Sequence, residues 1–134
     1  MILPLHFQSD DPRSGRSVSV PFGPYRHYGV LFVLDGRLWV FANSDACGGA
    51  RLESWEQFSG GKPWRFEPDY EGSLDWRAIF RRASSVVRRY DAGRWNCEHF
   101  VNYAQGLPVI SRQVRATVAL LLVGVASFAL ARAA

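Results

Sequence analysis

The chain has 134 residues, of which 48% are hydrophobic and 21% charged, and its formal net charge is +4. This length suits one compact domain with an appendage. Five Trp, five Tyr and nine Phe provide the bulk of a hydrophobic core, which excludes disorder for most of the chain. The positive charge comes almost entirely from arginine, Lys62 being the single lysine. No nucleic-acid-binding motif accompanies this charge, so no nucleic-acid partner is expected.

Cysteine usage indicates a reducing compartment. Two cysteines, Cys47 and Cys97, do not make a disulfide framework, and both are expected to be reduced in the cytosol. The first fifteen residues lack the charged and long apolar regions of a secretory signal. The folded part is therefore predicted to lie in the cytoplasm.

The first half of the chain predicts strands. Residues 1–24 contain four prolines and two glycines, which favour an irregular arm with at most one short strand. Residues 25–43 hold two apolar runs around Asp35-Gly36, a dipeptide typical of tight hairpin turns. Alternation puts His27, at the start of the first strand, on the same face as Gly29, Leu31 and Val33. Because both faces are largely apolar, the strands are expected to be covered on both sides. Residues 44–72 are broken by glycine and proline and favour only short strands or one helical turn.

The second half predicts helices. Apolar residues recur at helical spacing over 73–91, and Ser73 or Asp75 can cap that helix. A shorter helix is predicted over 97–105, with Asn96 as its N-cap and a stop at residues 106–108, where the sequence is Gly-Leu-Pro.

Residues 114–131 are almost uninterruptedly apolar, with no polar face. At about 1.5 Å per residue the run reaches roughly 27 Å, enough to span or deeply enter a bilayer. Arg112 and Arg115 precede the run and Arg132 follows it, which favours a cytoplasmic domain with a C-terminal anchor. The alternative is a buried core helix, but a domain of this size could hardly cover such a helix all round.

These elements predict an α+β protein, with a small antiparallel sheet packed against helices and a C-terminal hydrophobic helix. The predicted organisation is an irregular arm over 1–24, a catalytic domain over 25–111 and a membrane-anchoring helix over 112–134.

Cys97 stands where a reactive thiol is expected, in the first turn of a helix. Free backbone N–H groups and the helix dipole favour a thiolate there. The same N–H groups can bind the oxyanion of a tetrahedral intermediate.

A thiol nucleophile needs a base, and the chain has three histidines, His6, His27 and His99. His99 follows Cys97 by two residues on the same helix, so their side chains diverge by about 200°. His6 lies in the irregular arm. His27 lies on a strand, which can present its imidazole to a helix start. Asn43, at the end of the neighbouring strand, is a candidate to orient the imidazole.

Other uses of these residues stay open at this point. A lone cysteine among aromatic residues is commonly a small core residue, and a lone histidine is commonly structural. No pair of candidate ligands has zinc-site spacing, so no metal is predicted. No phosphate-binding loop or dinucleotide fingerprint occurs, so no cofactor is predicted either.

Three stretches resemble the lecithin:retinol acyltransferase family, whose members are similar to circularly permuted papain-like thiol enzymes. Asn96-Cys97-Glu98-His99-Phe100 resembles the family signature around the nucleophile. His27-Tyr28-Gly29-Val30, followed by a hairpin, resembles its histidine strand, and residues 51–63 resemble the linker between the two. The resemblance covers about residues 25–115, with the histidine strand before the cysteine helix.

The resemblance implies a role for each matching position. It makes Cys97 the nucleophile and His27 the general base, and it gives Tyr25 a possible part in binding the oxyanion. It implies structural roles for Glu98, His99 and Phe100. Many family members carry a second catalytic histidine on the strand after the hairpin, where this chain has no histidine. Asn43 therefore takes the orienting role, or the dyad acts alone, or activity is low.

The expected function is that of a membrane-associated thiol acyltransferase or phospholipase. The acyl donor is a membrane phospholipid or a similar acyl ester, and the acceptor is left open. A cysteine peptidase or amidase on the same scaffold is one alternative. A membrane-tethered binding module that has lost its chemistry is another.

Overall fold

The computed structural model describes residues 11–133 and shows an α+β fold. Within this part of the chain, one five-stranded antiparallel sheet has the order β4-β3-β2-β1-β5. The predicted fold class is thereby confirmed. The strands are β1 (Arg16–Phe22), β2 (Tyr25–Leu34), β3 (Arg37–Ser44), β4 (Gly49–Ser54) and β5 (Arg65–Phe66). The helices are α1 (Trp55–Ser59), α2 (Trp76–Ser84), α3 (Cys97–Gln105) and α4 (Arg112–Ala133), with a 3₁₀ turn at Pro68–Tyr70.

The predicted hairpin is confirmed as β2 and β3. Asp35 and Gly36 connect the strands with φ angles of 51° and 72°, the left-handed conformation that a tight two-residue hairpin turn requires. Pairing between the strands runs from Leu34 opposite Arg37 back to Gly29 opposite Ala42. Beyond Gly29 the first residues of β2 have no partner on β3.

The one short strand that the sequence allowed within the arm over 1–24 is present, but it belongs to the sheet. Residues 1–10, including His6, lie outside the described part of the chain, but residues 16–22 form β1, which pairs with both β2 and β5. The sheet therefore begins before the predicted boundary at residue 25. The two serines that alternate with valines in β1 are buried, and both of their hydroxyls have partners. Ser17 donates to the Tyr70 carbonyl, and Ser19 donates to Glu67.

The sheet is buried on both faces, as the apolar hairpin predicted. One face packs on α2 and α3, and the other packs on α1. The helix-covered core consists mainly of Tyr28, Val30, Phe32, Phe41, Ile79, Phe80, Phe100, Val101 and Ala104. The smaller core on the α1 face consists of Val18, Val20, Leu31, Val40, Ala42 and Phe58.

Helix α2 is shorter than the predicted 73–91. It begins after Asp75, whose carboxylate accepts a hydrogen bond from the Ala78 amide at 2.8 Å, and it ends at Ser84. Ser85 folds its hydroxyl back onto the Arg82 carbonyl, and two β-branched valines follow, all of which weaken a helix. The chain then forms an isolated bridge between Arg89 and Gly49 at the sheet edge.

Helix α3 begins and ends as predicted. The Asn96 side chain accepts hydrogen bonds from the Glu98 and His99 amides at 2.9 and 3.3 Å, and the His99 ring accepts one from the Asn96 amide at 3.0 Å. This reciprocal capping box fixes the start of the helix. Gly106 ends it with a φ of 72°.

The start of α4 is held by a buried carboxylate from α3. Glu98 has no exposed surface. It accepts hydrogen bonds from the Arg112 and Gln113 amides at 3.2 and 3.1 Å, from the Ser111 hydroxyl at 2.6 Å and from the Tyr70 hydroxyl at 2.5 Å. A carboxylate at this point satisfies the free N–H groups of the first turn and complements the helix dipole. The predicted structural role of Glu98 is thus a link between two helices.

Helix α4 extends away from the domain. None of its residues is buried, and its length and composition suffice to cross a membrane. Because the described domain leaves it uncovered, the alternative of a buried core helix is wrong.

Replacing Glu98 with Ala should unfold the domain more readily. The substitution leaves several buried donors without an acceptor, and a loss of about 2–4 kcal/mol in the free energy of unfolding is expected. The measurement is denaturant unfolding of the full chain in detergent micelles, followed by tryptophan fluorescence. The exposed Glu56 serves as control, and Glu56→Ala should change stability by less than about 0.5 kcal/mol. Equal stabilities of the two variants would contradict the linking role.

Candidate functional site

The start of α3 lies beside the unpaired beginning of β2. Asn43, on β3, donates hydrogen bonds from its side-chain amide to the carbonyls of Trp95 and Asn96 at 2.8 and 3.2 Å. These bonds hold the segment before α3 against the sheet. Cys97 then lies next to β2, with its Sγ 3.9 Å from the Arg26 carbonyl oxygen. Residues 25–28 of β2 have no partner on β3, which leaves room for this approach.

Cys97 and His27 line one cavity. The cavity has a volume of about 910 Å³ and is bounded by the β1–β2 turn, the segment around Cys47, helix α1, the start of α3 and the start of α4. Val114 and Val118 of α4 contribute apolar surface to its wall. The start of α4 therefore forms part of the cavity wall, while the rest of the helix extends away from the domain.

His27 projects from β2 toward the α1 side of the sheet. Its ring centroid lies 5.2 Å from that of Phe58 and 6.2 Å from that of Phe22. Burial lowers the pKa of His27 below its ordinary 6.5, the Lys62 charge lowers it further, and the Glu53 carboxylate opposes the decrease. The imidazole is therefore neutral at pH 7, which is the form that a general base requires.

Burial dominates the acidity of Cys97. It raises the pKa of the thiol to about 11, with a further increase from the Glu98 carboxylate, while nearby backbone N–H groups including that of Tyr28 lower it. The sequence predicted that the helix start would favour a thiolate. In the folded protein, loss of hydration outweighs the helix start, so the group is a thiol at pH 7.

No hydrogen bond joins the Cys97 sulfur to the His27 imidazole within residues 11–133. The two side chains share a cavity, and the His27 ring packs on Phe58 with its centroid 5.2 Å from the centroid of the phenyl ring. Catalytic hydrogen bonds are often long or absent before substrate binds. A direct proton transfer requires the two groups to come within hydrogen-bond distance of each other.

The structure does not bring Asn43 to the His27 ring. Strand alternation places Asn43 on the α3 side of the sheet and His27 on the α1 side. The Asn43 amide nitrogen bonds the backbone before Cys97, and its buried Oδ1 has no partner among the described residues. Asn43 thus positions the cysteine segment, and its role toward the imidazole stays a prediction.

Tyr25 lies at the cavity mouth with its hydroxyl 3.2 Å from the Thr117 hydroxyl of α4. Its predicted role toward an oxyanion stays a prediction. His99, by contrast, uses its Nδ1 in the capping box, so it is unavailable to Cys97, in agreement with the sequence argument. In the described part of the chain no group of His, Cys, Asp and Glu side chains is arranged to hold a metal ion.

The sequence argument missed Gln113, which ties α4 to the site. Its side-chain oxygen accepts from the Arg26 amide at 2.6 Å, and its side-chain nitrogen donates to the Arg26 carbonyl at 3.2 Å. The same carbonyl is the acceptor nearest to the Cys97 sulfur. A glutamine among the polar residues at the start of an otherwise apolar helix was the available signal. Its partner, a backbone peptide 87 residues away, has no sequence pattern.

The sequence also missed Glu53 and Cys47. Glu53 is buried on β4 and accepts a hydrogen bond from the Cys47 thiol at 3.1 Å. Both line the cavity, and both cysteines are free. Cys47 is therefore a second thiol that any labelling experiment at Cys97 must account for.

Comparison with known proteins gives no independent assignment. No protein family matches this chain, and no curated protein shows significant similarity to it.

The raised pKa of Cys97 predicts the pH dependence of its alkylation. Because the thiolate fraction grows with pH below the pKa, the iodoacetamide rate should rise by about tenfold per pH unit from about pH 6 to pH 9, without a plateau. The measurement uses the Cys47→Ser variant, so that Cys97 alone is labelled. A rate that is already constant above about pH 6 would instead indicate a resting thiolate–imidazolium pair.

Replacing Gln113 with Ala should loosen the start of β2. The Arg26 amide loses its acceptor, and its hydrogen exchange should accelerate by about five- to tenfold, as the loss of one net hydrogen bond implies. Amide exchange of the full chain in micelles, followed by nuclear magnetic resonance, measures this. Arg115→Ala is the matched control, because Arg115 lies on the same turn and is exposed. Unchanged exchange at Arg26 in the Gln113 variant would refute the tie.

Proposed function

We propose that this protein is a membrane-anchored thiol acyltransferase or phospholipase that forms an acyl-enzyme on Cys97. The observation that carries the proposal is the composition of one cavity, which combines a thiol at a helix start, a neutral imidazole and the wall of a bilayer-length apolar helix. A cavity of about 910 Å³ has room for a lipid ester with part of its acyl chain.

The reaction begins when His27 takes the proton from Cys97. The thiolate attacks the ester carbonyl of a phospholipid, and the Cys97 amide, which has no partner within the helix, donates a hydrogen bond to the oxyanion. The tetrahedral intermediate collapses to a thioester, and the lysolipid alkoxide leaves with the proton from His27. Water, an amine or a hydroxyl then accepts the acyl group and releases the thiol.

The state of the resting site fits a substrate-dependent mechanism. A buried thiol with a raised pKa is weakly nucleophilic, so proton transfer must accompany binding of the donor. The imidazole supplies the base when it comes within hydrogen-bond distance of the sulfur. Turnover is therefore expected only where an acyl chain fills the cavity.

The resemblance to the lecithin:retinol acyltransferase family supports the same chemistry. The order of the histidine strand and the cysteine helix agrees with a circularly permuted papain-like arrangement. Glu98 and His99 are signature positions with implied structural roles. His99 caps the start of α3, and Glu98 caps the start of α4. A single base without a second histidine is consistent with slow chemistry.

The anchor and its orientation belong to the same proposal. Helix α4 inserts in the bilayer and confines the domain to its surface, which raises the effective concentration of lipid donor. Arg112 and Arg115 on the domain side favour a cytoplasmic domain.

Two other functions use the same scaffold. Peptidase or amidase activity requires the same dyad, but Val114 and Val118 on the cavity wall favour a lipid over a peptide. A binding module without chemistry is favoured by one observation, the absence of a hydrogen bond between Cys97 and His27 within the described residues. It predicts that Cys97→Ser leaves cellular function unchanged.

The acyl-enzyme is the test of the proposal. After incubation of the full chain with phospholipid vesicles, mass spectrometry should find a fatty acyl adduct on Cys97, and lysolipid should appear. Cys97→Ser should form no thioester, and His27→Gln should slow its formation by about 10²–10⁴-fold, the usual contribution of a general base.

Cys47→Ser is the matched control and should retain the adduct. A fluorescent peptide in the same assay distinguishes peptidase activity. If folded protein yields neither an adduct nor lysolipid, the acyltransferase proposal is wrong.

A further inference from the structure

The turn between β1 and β2 exposes two aromatic side chains. Phe22 is 64% exposed and Tyr25 is 45% exposed, and Gly23 and Pro24 between them are also exposed. The four consecutive residues carry no charge. Large aromatic side chains at a turn tip are unfavourable in water unless another surface covers them.

This turn is attached to the start of α4. The Tyr25 hydroxyl lies 3.2 Å from the Thr117 hydroxyl, and Gln113 bonds both backbone groups of Arg26. Three contacts thus hold the turn against the first two turns of the apolar helix. Its height relative to a bilayer is set by α4.

The spacing of arginines along α4 gives that height. Arg112 and Arg132 are 20 residues apart, about 30 Å along the helix, which equals the usual thickness of the hydrocarbon core. Thr117 then lies no more than about 8 Å below the level of Arg112. Tyr25 contacts Thr117 and so lies at the boundary between headgroups and acyl chains, where tyrosine is enriched in membrane proteins.

The one lysine of the chain lies at the same place. The Lys62 ammonium is 5.5 Å from the centre of the Phe22 ring and donates to the Pro21 carbonyl at 3.2 Å. Within residues 11–133 no carboxylate pairs with it, so its charge is available to lipid phosphates. A cation beside exposed aromatic rings fits a bilayer surface better than an apolar protein partner.

We propose that the Phe22–Tyr25 turn is a membrane-contact surface that inserts at the bilayer interface beside α4 and lays the mouth of the Cys97 cavity on the lipid. Phe22, Tyr25, Lys62 and Val118 all line that cavity, so a donor lipid enters it from the bilayer without crossing water. The inference rests on the membrane insertion of α4 in the proposed function, but not on any reaction at Cys97.

The test uses an environment-sensitive fluorophore on single cysteines, in full chains whose Cys47 and Cys97 are replaced by Ser. The labelled variants are Phe22→Cys, Arg37→Cys and Leu122→Cys, reconstituted in vesicles of neutral and anionic phospholipid. Arg37 is the control because it is exposed beside the opposite end of β2, about 30 Å along that strand from Tyr25. Leu122 reports insertion of α4.

The label at position 22 should show blue-shifted emission and loss of intensity with a lipid quencher near the headgroup, whereas the label at position 37 should show neither. An unquenched label at position 22 together with a quenched label at position 122 overturns the proposal and leaves the anchor intact. Labels at both positions unquenched overturn the proposal and the anchor. If the blue shift at position 22 disappears when the protein is diluted in lipid, the turn contacts a second copy of the chain. That result would likewise overturn the proposal.

Discussion

The buried Glu98 carboxylate is the interaction on which the arrangement of the molecule depends. Glu98 lies in the first turn of α3, one residue after Cys97, and its carboxylate accepts hydrogen bonds from the first N–H groups of α4. One carboxylate therefore lies at the starts of two helices. Burying a carboxylate is unfavourable unless hydrogen bonds replace its hydration, and four bonds do so here. The apolar helix is therefore joined to the segment that carries the thiol by a short, fully buried connection.

That connection explains why the cavity has a wall of apolar helix. Once α4 starts beside α3, Gln113 reaches the Arg26 peptide and Thr117 reaches Tyr25, so that α4 contacts β2 just before His27. Burial of the same region raises the pKa of Cys97 and lowers that of His27. The cysteine and the histidine are consequently both neutral at pH 7.

Prediction from the sequence succeeded where a local pattern determines the structure, and it failed where distant partners do. Asn96 and Gly106 bound α3 because capping chemistry is local, and Asp35-Gly36 makes the turn for the same reason. The sequence allowed one strand within residues 1–24 but did not place it in the sheet, because the acceptors that its buried serines need lie in the distant segment 67–70. Helix α2 was predicted too long because the bridge from Arg89 to Gly49 lies outside its own periodicity.

By itself the sequence determined that a thiol stands at a helix start, that a histidine begins a strand, and that a bilayer-length apolar helix follows, because each depends on residue type and near-neighbour spacing. Only the tertiary structure decided that the cysteine and the histidine share a cavity, that the imidazole faces Phe58, and that Asn43 and Gln113 hold the backbone around the thiol. It also decided that burial outweighs the helix start at Cys97. Burial, distance and hydrogen-bond partners across many residues are properties of the packed chain, and no local pattern records them.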